Sequence, residues 1–117
     1  MSCKVYTIEP FDKSLKRLIK KYPSMKDDFM SLVEEIKENP IKGTPIKYGL
    51  RKVRMSISSK GKGKSGGARV ITHPIVYALN ESEVTLLQIY DKSESENITG
   101  NASIRSWLPL RMGLPFR

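Results

Sequence analysis

The chain has 117 residues, of which 38% are apolar, and a formal net charge of +9. That length suits one domain with a modest core, burying roughly two-thirds of the surface the unfolded chain exposes. No apolar run reaches the roughly 18–20 residues of a membrane span, and one cysteine (Cys3) with one histidine (His73) excludes an internal disulfide and falls short of a structural metal's ligand set.

Met1-Ser2-Cys3-Lys4-Val5 lacks the apolar stretch of a secretory signal, so a cytoplasmic location is expected. Val5-Tyr6-Thr7-Ile8, β-branched and aromatic and closed by Pro10, reads as a first strand. From Phe11, the positions Phe11, Leu15, Leu18, Ile19 and Tyr22 follow a helical stripe with lysines opposite, and Pro23 ends it. Ser24 then offers an N-cap with Asp27 at N3, and Met25, Phe29, Leu32, Val33 and Ile36 repeat the stripe as far as Asn39-Pro40. Two helices with matched apolar faces and a tight break form a helical hairpin, which must bury its stripe against strands.

Lys42-Gly43-Thr44-Pro45 reads as a loop. Residues 49–58 then alternate, with Val53, Met55 and Ile57 toward the core and Lys52, Arg54, Ser56 and Ser58 facing away. The four glycines of Lys60-Gly61-Lys62-Gly63-Lys64-Ser65-Gly66-Gly67 make a hairpin loop with nothing to pack. Residues 68–80 read as a strand interrupted at Pro74, which predicts an edge position or a bulge there, and residues 83–90 are apolar enough for a central strand. Ser93-Glu94-Ser95-Glu96 resembles a capping box opening at most about two helical turns before Gly100. The expectation is an α+β domain over residues 1–98, a helical hairpin on a small antiparallel or mixed sheet in the order β-α-α-β-β-β, followed by an irregular tail over residues 99–117.

The charge excess sits in one segment. Residues 42–69 hold nine basic side chains and no acidic one, which leaves 12 basic against 12 acidic in the rest of the chain. A one-sign segment focuses positive potential and attracts phosphates by counterion release, so nucleic acid is the expected partner. Side chains two apart on a strand project from one face about 6.6 Å apart, which pairs Lys52 with Arg54 at a spacing comparable to adjacent phosphates. An antiparallel hairpin through the lysine loop brings Arg69 beside Arg54 or Lys52, and Lys92, just past the last strand, reaches the same edge. These four residues can surround one phosphodiester.

RNA carries a 2′-hydroxyl that attacks the adjacent phosphate once it is aligned, deprotonated and given somewhere for charge to go. A guanidinium donates two parallel hydrogen bonds to phosphoryl oxygens, so Arg69 or Arg54 is the candidate for stabilising the transition state. Neighbouring cations lower an ammonium's pKa, which offers Lys52 or Lys92 as base or acid. Arg51, Lys60, Lys62 and Lys64 are expected to hold the RNA backbone without regard to sequence, although the loop lacks the nucleotide-binding pattern GxxxxGK[ST]. Tyr48, Tyr77 and Tyr90 are candidates for stacking on bases, and His73 for a structural role.

Gly49-Leu50-Arg51-Lys52-Val53-Arg54, followed by the glycine–lysine loop and Ala68-Arg69-Val70-Ile71, resembles the RelE/ParE toxin superfamily, in its HigB-like branch. Leu87-Gln88-Ile89-Tyr90-Asp91-Lys92-Ser93-Glu94 and the hairpin ending in Glu38-Asn39-Pro40 extend the likeness over residues 5–98. The resemblance implies a type II toxin that cuts mRNA in the ribosomal decoding site without metal or cofactor and is neutralised by a cognate helix-turn-helix antitoxin. By motif position, Lys52, Arg54, Arg69 and Lys92 match the basic residues such toxins use. Family members typically end in a helix, sometimes bearing a functional tyrosine, where this chain has Ile98 and a tail broken by glycine and proline. Two other readings fit the charge pattern: a ParE-like inhibitor of DNA gyrase, and an RNA-binding module without activity.

Overall fold

The computed structural model describes residues 2–61, 63 and 66–93. The elements are β1 (Ser2–Thr7), α1 (Glu9–Lys21), α2 (Met25–Glu38), β2 (Thr44–Pro45), β3 (Arg51–Met55), β4 (Ala68–Ala78) and β5 (Glu81–Asp91), with short 3-10 turns at Lys47–Gly49 and Ser58–Lys60. The strands form one sheet in the order β1-β5-β4-β3-β2. β1 runs parallel to β5, and the other pairs are antiparallel. The protein is therefore α+β, a helical hairpin on a mixed five-stranded sheet. A parallel pair needs a long crossover, and α1 and α2 are part of it.

The helices close the core through the stripes read from their spacing. Phe11 and Leu18 of α1 and Met25, Leu32 and Ile36 of α2 are buried against Val53, Met55, Ile57, Val70, Val84 and Ile89. Ile19 falls at the edge of the stripe and is exposed. α1 begins at Glu9, two residues before the expected start, because proline is tolerated in a helix's first turn, where its missing N–H has no partner to lose. Acidic Glu9 and Asp12 in its first turn and basic Lys20 and Lys21 in its last match the helix dipole.

Ser24 does not cap α2 as expected. Its backbone is already helical, and its hydroxyl donates to Asp28 Oδ2 at 2.6 Å and accepts the Ser59 N–H at 2.8 Å rather than an N–H of the first turn of α2. Asp28 explains why. Its carboxylate also accepts the Ser58 N–H at 2.8 Å and the Ser58 hydroxyl at 2.6 Å, so a long-range pin between α2 and the turn after β3 replaces the local cap.

The strands sit where alternation puts them. Thr44 and Pro45, expected in a loop, pair with Lys52 and Arg51 as a two-residue edge strand, too short to leave a period in the sequence. Pro74 lies where β4 has run past the end of β3, whose pairing stops at Thr72, so the proline sits at an open flank as its missing N–H requires. The register between β4 and β5 shifts next to Thr72, leaving Leu87 as an extra residue that joins Leu50 and Ile71 in a second, smaller apolar cluster. β5 is central and buried along most of its length. Among the described residues no helix is long and apolar enough to cross a membrane. The helix expected after Ser93 and the tail over residues 99–117 lie outside the described residues.

Candidate functional site

Pairing register builds the site. Arg54 of β3 lies directly opposite Arg69 of β4, and Arg69 lies opposite Tyr90 of β5, so two guanidiniums and a phenol form one row across three strands. Lys52 occupies the next row on the same face, opposite Ile71. Lys92 follows β5 directly, its N–H donated to the Gly67 carbonyl at 3.0 Å. Lys52, Arg54, Arg69 and Lys92 line one open cleft of about 360 Å³ with Thr44 and Tyr90. All four expected catalytic residues are therefore gathered, and no carboxylate stands among the described residues lining them.

Like charges directly opposed on a sheet repel, and here one of them is held out of water. Arg69 is 6% exposed, and its Nη1 donates to the Ala68 carbonyl at 3.1 Å. Burial and the adjacent Arg54 guanidinium both push its pKa below the ordinary arginine value, with Tyr90 acting the other way. An anion in the cleft would offset both penalties with opposite charge, so the arrangement suits phosphate chemically. Arg54 is exposed and also lines a smaller hollow of about 200 Å³ with Asp28, Glu35 and Ser58 at the sheet edge.

The remaining expected contacts are scattered. Arg51 alternates to the other face and donates to the Gly43 carbonyl at 3.0 Å. Lys60 is turned inward: its Nζ lies 2.7 Å from Asp91 Oδ1, and its side chain is 12% exposed. Lys62 and Lys64 lie outside the described residues. Of the tyrosines, Tyr90 alone lines the cleft, while the Tyr77 hydroxyl donates to Glu83 and Tyr48 is exposed in the turn before β3. His73 is half-buried on β4 and does not line the cleft. Among the described residues no three His, Cys, Asp or Glu side chains are gathered as a metal would need.

Asp91 was not foreseen. Its side chain is fully buried, and its carboxylate accepts the Tyr22 hydroxyl, Lys60 Nζ, and the N–H and hydroxyl of Ser93. Burial alone would raise its pKa, but those hydrogen bonds outweigh it and hold the group well below the ordinary carboxylate range. Asp28 behaves alike to a lesser degree, with burial outweighed by Ser24 and Ser58. The sequence signal was a lone acid ending an apolar central strand, since a charge is buried there only if paired.

Both carboxylates have folded-state pKa values below their unfolded ones, so the unfolded chain binds more protons as pH falls through about 4. Their contribution to stability is complete above that pH and is lost below it. Urea unfolding between pH 7 and 3 should show stability falling through this window, and Asp91→Asn should have a shallower acid limb than wild type. An unchanged limb would mean Asp91 is not the main linked group.

A scan of the sequence against models of known protein families matches none.

Proposed function

We propose that this protein is a HigB-like toxin of the RelE/ParE superfamily, a cytoplasmic, metal-independent endoribonuclease that cuts mRNA on the ribosome and is neutralised by a cognate helix-turn-helix antitoxin. The observation that carries this reading is the cleft in which Arg54 and Arg69 face each other across the β3–β4 pairing, with Lys52 and Lys92 beside them. Four cations converging with no carboxylate among the described lining residues suit a phosphodiester, and the open shape admits an unpaired strand.

In the chemistry proposed, the 2′-oxygen forms a bond to phosphorus and the bond from phosphorus to the 5′-oxygen breaks. The products are a 2′,3′-cyclic phosphate and a 5′-hydroxyl. One proton leaves the 2′-hydroxyl for a base and one reaches the departing 5′-oxygen from an acid, roles that fall to Lys52 and Lys92. Arg69 and Arg54 hold the two non-bridging oxygens as charge builds on them. No redox partner or metal is needed for this balance.

Primer extension on translated mRNA after induced expression tests the proposal. Codon-linked cuts with cyclic-phosphate 3′ ends are expected. Intact mRNA in the presence of folded protein would overturn it, in favour of a gyrase inhibitor if a DNA-damage response appears and of a non-catalytic RNA-binding module if none does. Affinity for single-stranded RNA should fall with salt at a log–log slope of about −2 to −3, the value for three or four phosphate contacts. Lys52→Ala should reduce that slope by about 0.7. A slope near zero would remove the phosphate-binding role of the cleft.

A further inference from the structure

Asp91 stands in sequence between Tyr90 and Lys92, two residues of the cleft, while alternation turns its own side chain to the opposite face of the sheet. Three elements converge on it there. Tyr22 at the end of α1 donates its hydroxyl to Oδ2, with the Lys21 amine 4.0 Å from the same oxygen. Lys60, in the turn that leads into the glycine–lysine loop, donates to Oδ1 at 2.7 Å. Ser93 donates its N–H at 3.0 Å and its hydroxyl at 2.9 Å to Oδ1 from the turn that follows β5.

A staple between α1 and the sheet would require Tyr22 alone. Two of the three elements held by Asp91 instead adjoin strands of the cleft: the Ser58–Lys60 turn, between β3 and the loop that returns as β4, and the turn that carries Lys92 of the cleft itself. Lys92 itself donates its N–H to the Gly67 carbonyl at the other end of that loop. We propose that Asp91 is a positioning residue of the cleft, fixing Lys92 and Tyr90 against Arg69 through its hydrogen bonds to Tyr22, Lys60 and Ser93. The inference rests on the endoribonuclease reading for what the cleft acts on, and on the hydrogen bonds alone for the positioning.

The carboxylate is the group the site requires. All its partners are donors, and an amide there would turn two of its own N–H donors toward them or leave a partner unmatched. Asp91→Asn should therefore loosen the end of β5 while leaving the four cations in the chain. Two measurements on that variant test it. In single-turnover cleavage on programmed ribosomes the rate should fall about 10- to 100-fold, with the half-saturating concentration within about twofold, since displacement of a placed group by even 1 Å acts on the chemical step. In amide hydrogen exchange, Lys92 should exchange about tenfold faster while Val70, deep in the same sheet, changes only with global stability.

Tyr22→Phe removes one donor from the far side of the sheet and should shift both measurements in the same direction by a smaller factor. It decides the matter if Asp91→Asn does not fold. Lys92 exchange that tracks Val70, with an unchanged cleavage rate in a variant of merely lower Tm, would overturn the positioning role. If the wild-type protein cuts no RNA, the functional reading fails by itself, and the exchange measurement still decides whether Asp91 holds Lys92.

Discussion

Arg69→Ala should lower the rate of mRNA cleavage by about 100- to 1,000-fold, the range found when a preorganised oxyanion donor is removed. Arg69 is the most buried of the cleft's cations, and a buried guanidinium makes stronger hydrogen bonds to an anion with less competition from water. Arg69→Lys keeps the charge but loses the fork that binds two oxygens together, so binding should be nearly retained while most of the rate is lost. Stability should change by no more than about 1–2 kcal/mol in the alanine variant, because lost packing is partly offset by relief of repulsion from Arg54. Cleavage within a few-fold of wild type in folded Arg69→Ala protein would take the transition-state role away from this residue.

Gly67→Ala should be the most damaging small substitution in the described chain. A Cβ at Gly67 would lie 2.1 Å from the Met55 carbonyl oxygen, 2.9 Å from Ser56 Cα and 3.0 Å from Ile57 N. All three are backbone atoms, so no side chain can move aside, and β3 must separate from the start of β4 where Met55 pairs with Ala68. A loss of about 3 kcal/mol or more is expected, lowering Tm by about 10–20 °C. The Gly67 carbonyl also accepts the Lys92 N–H, so the cleft should open with the sheet. Gly61→Ala is the control: its surroundings are open, and its φ of 69° costs about 1 kcal/mol for a residue with a side chain. Equal Tm values for the two variants would show that the close approach at Gly67 is relieved by backbone movement.

Elements with a strong period are legible in the sequence. Val53, Met55 and Ile57 alternate with polar neighbours and are buried as alternation requires, and Phe11, Leu18, Leu32 and Ile36 fall on the faces their spacing predicts. The cleft was legible for the same reason, since Lys52 and Arg54 share a strand face and Arg69 is the second residue of the strand that follows. What failed was decided by partners far along the chain. Ser24 has the residue type and position of a cap but serves Asp28, which is bound to Ser58 30 residues away. Lys60 looks like its loop neighbours Lys62 and Lys64, yet its partner Asp91 is 31 residues away. Composition describes a loop's average character and carries no information about which of its lysines meets a buried carboxylate.

The parallel pairing of β1 with β5 sets an order of events during synthesis. Ser2 pairs with Glu81 and Thr7 with Leu86, so among the described strands the first one made must wait for the last before it has a neighbour in the sheet. Contacts this distant in sequence form slowly and late. Arg69 lacks its Tyr90 neighbour, and the cleft lacks Lys92, until the same stretch has emerged. A nascent chain can thus pair Arg54 with Arg69 across the β3–β4 hairpin early, but it completes the cleft with Tyr90 and Lys92 only when translation of this region is complete.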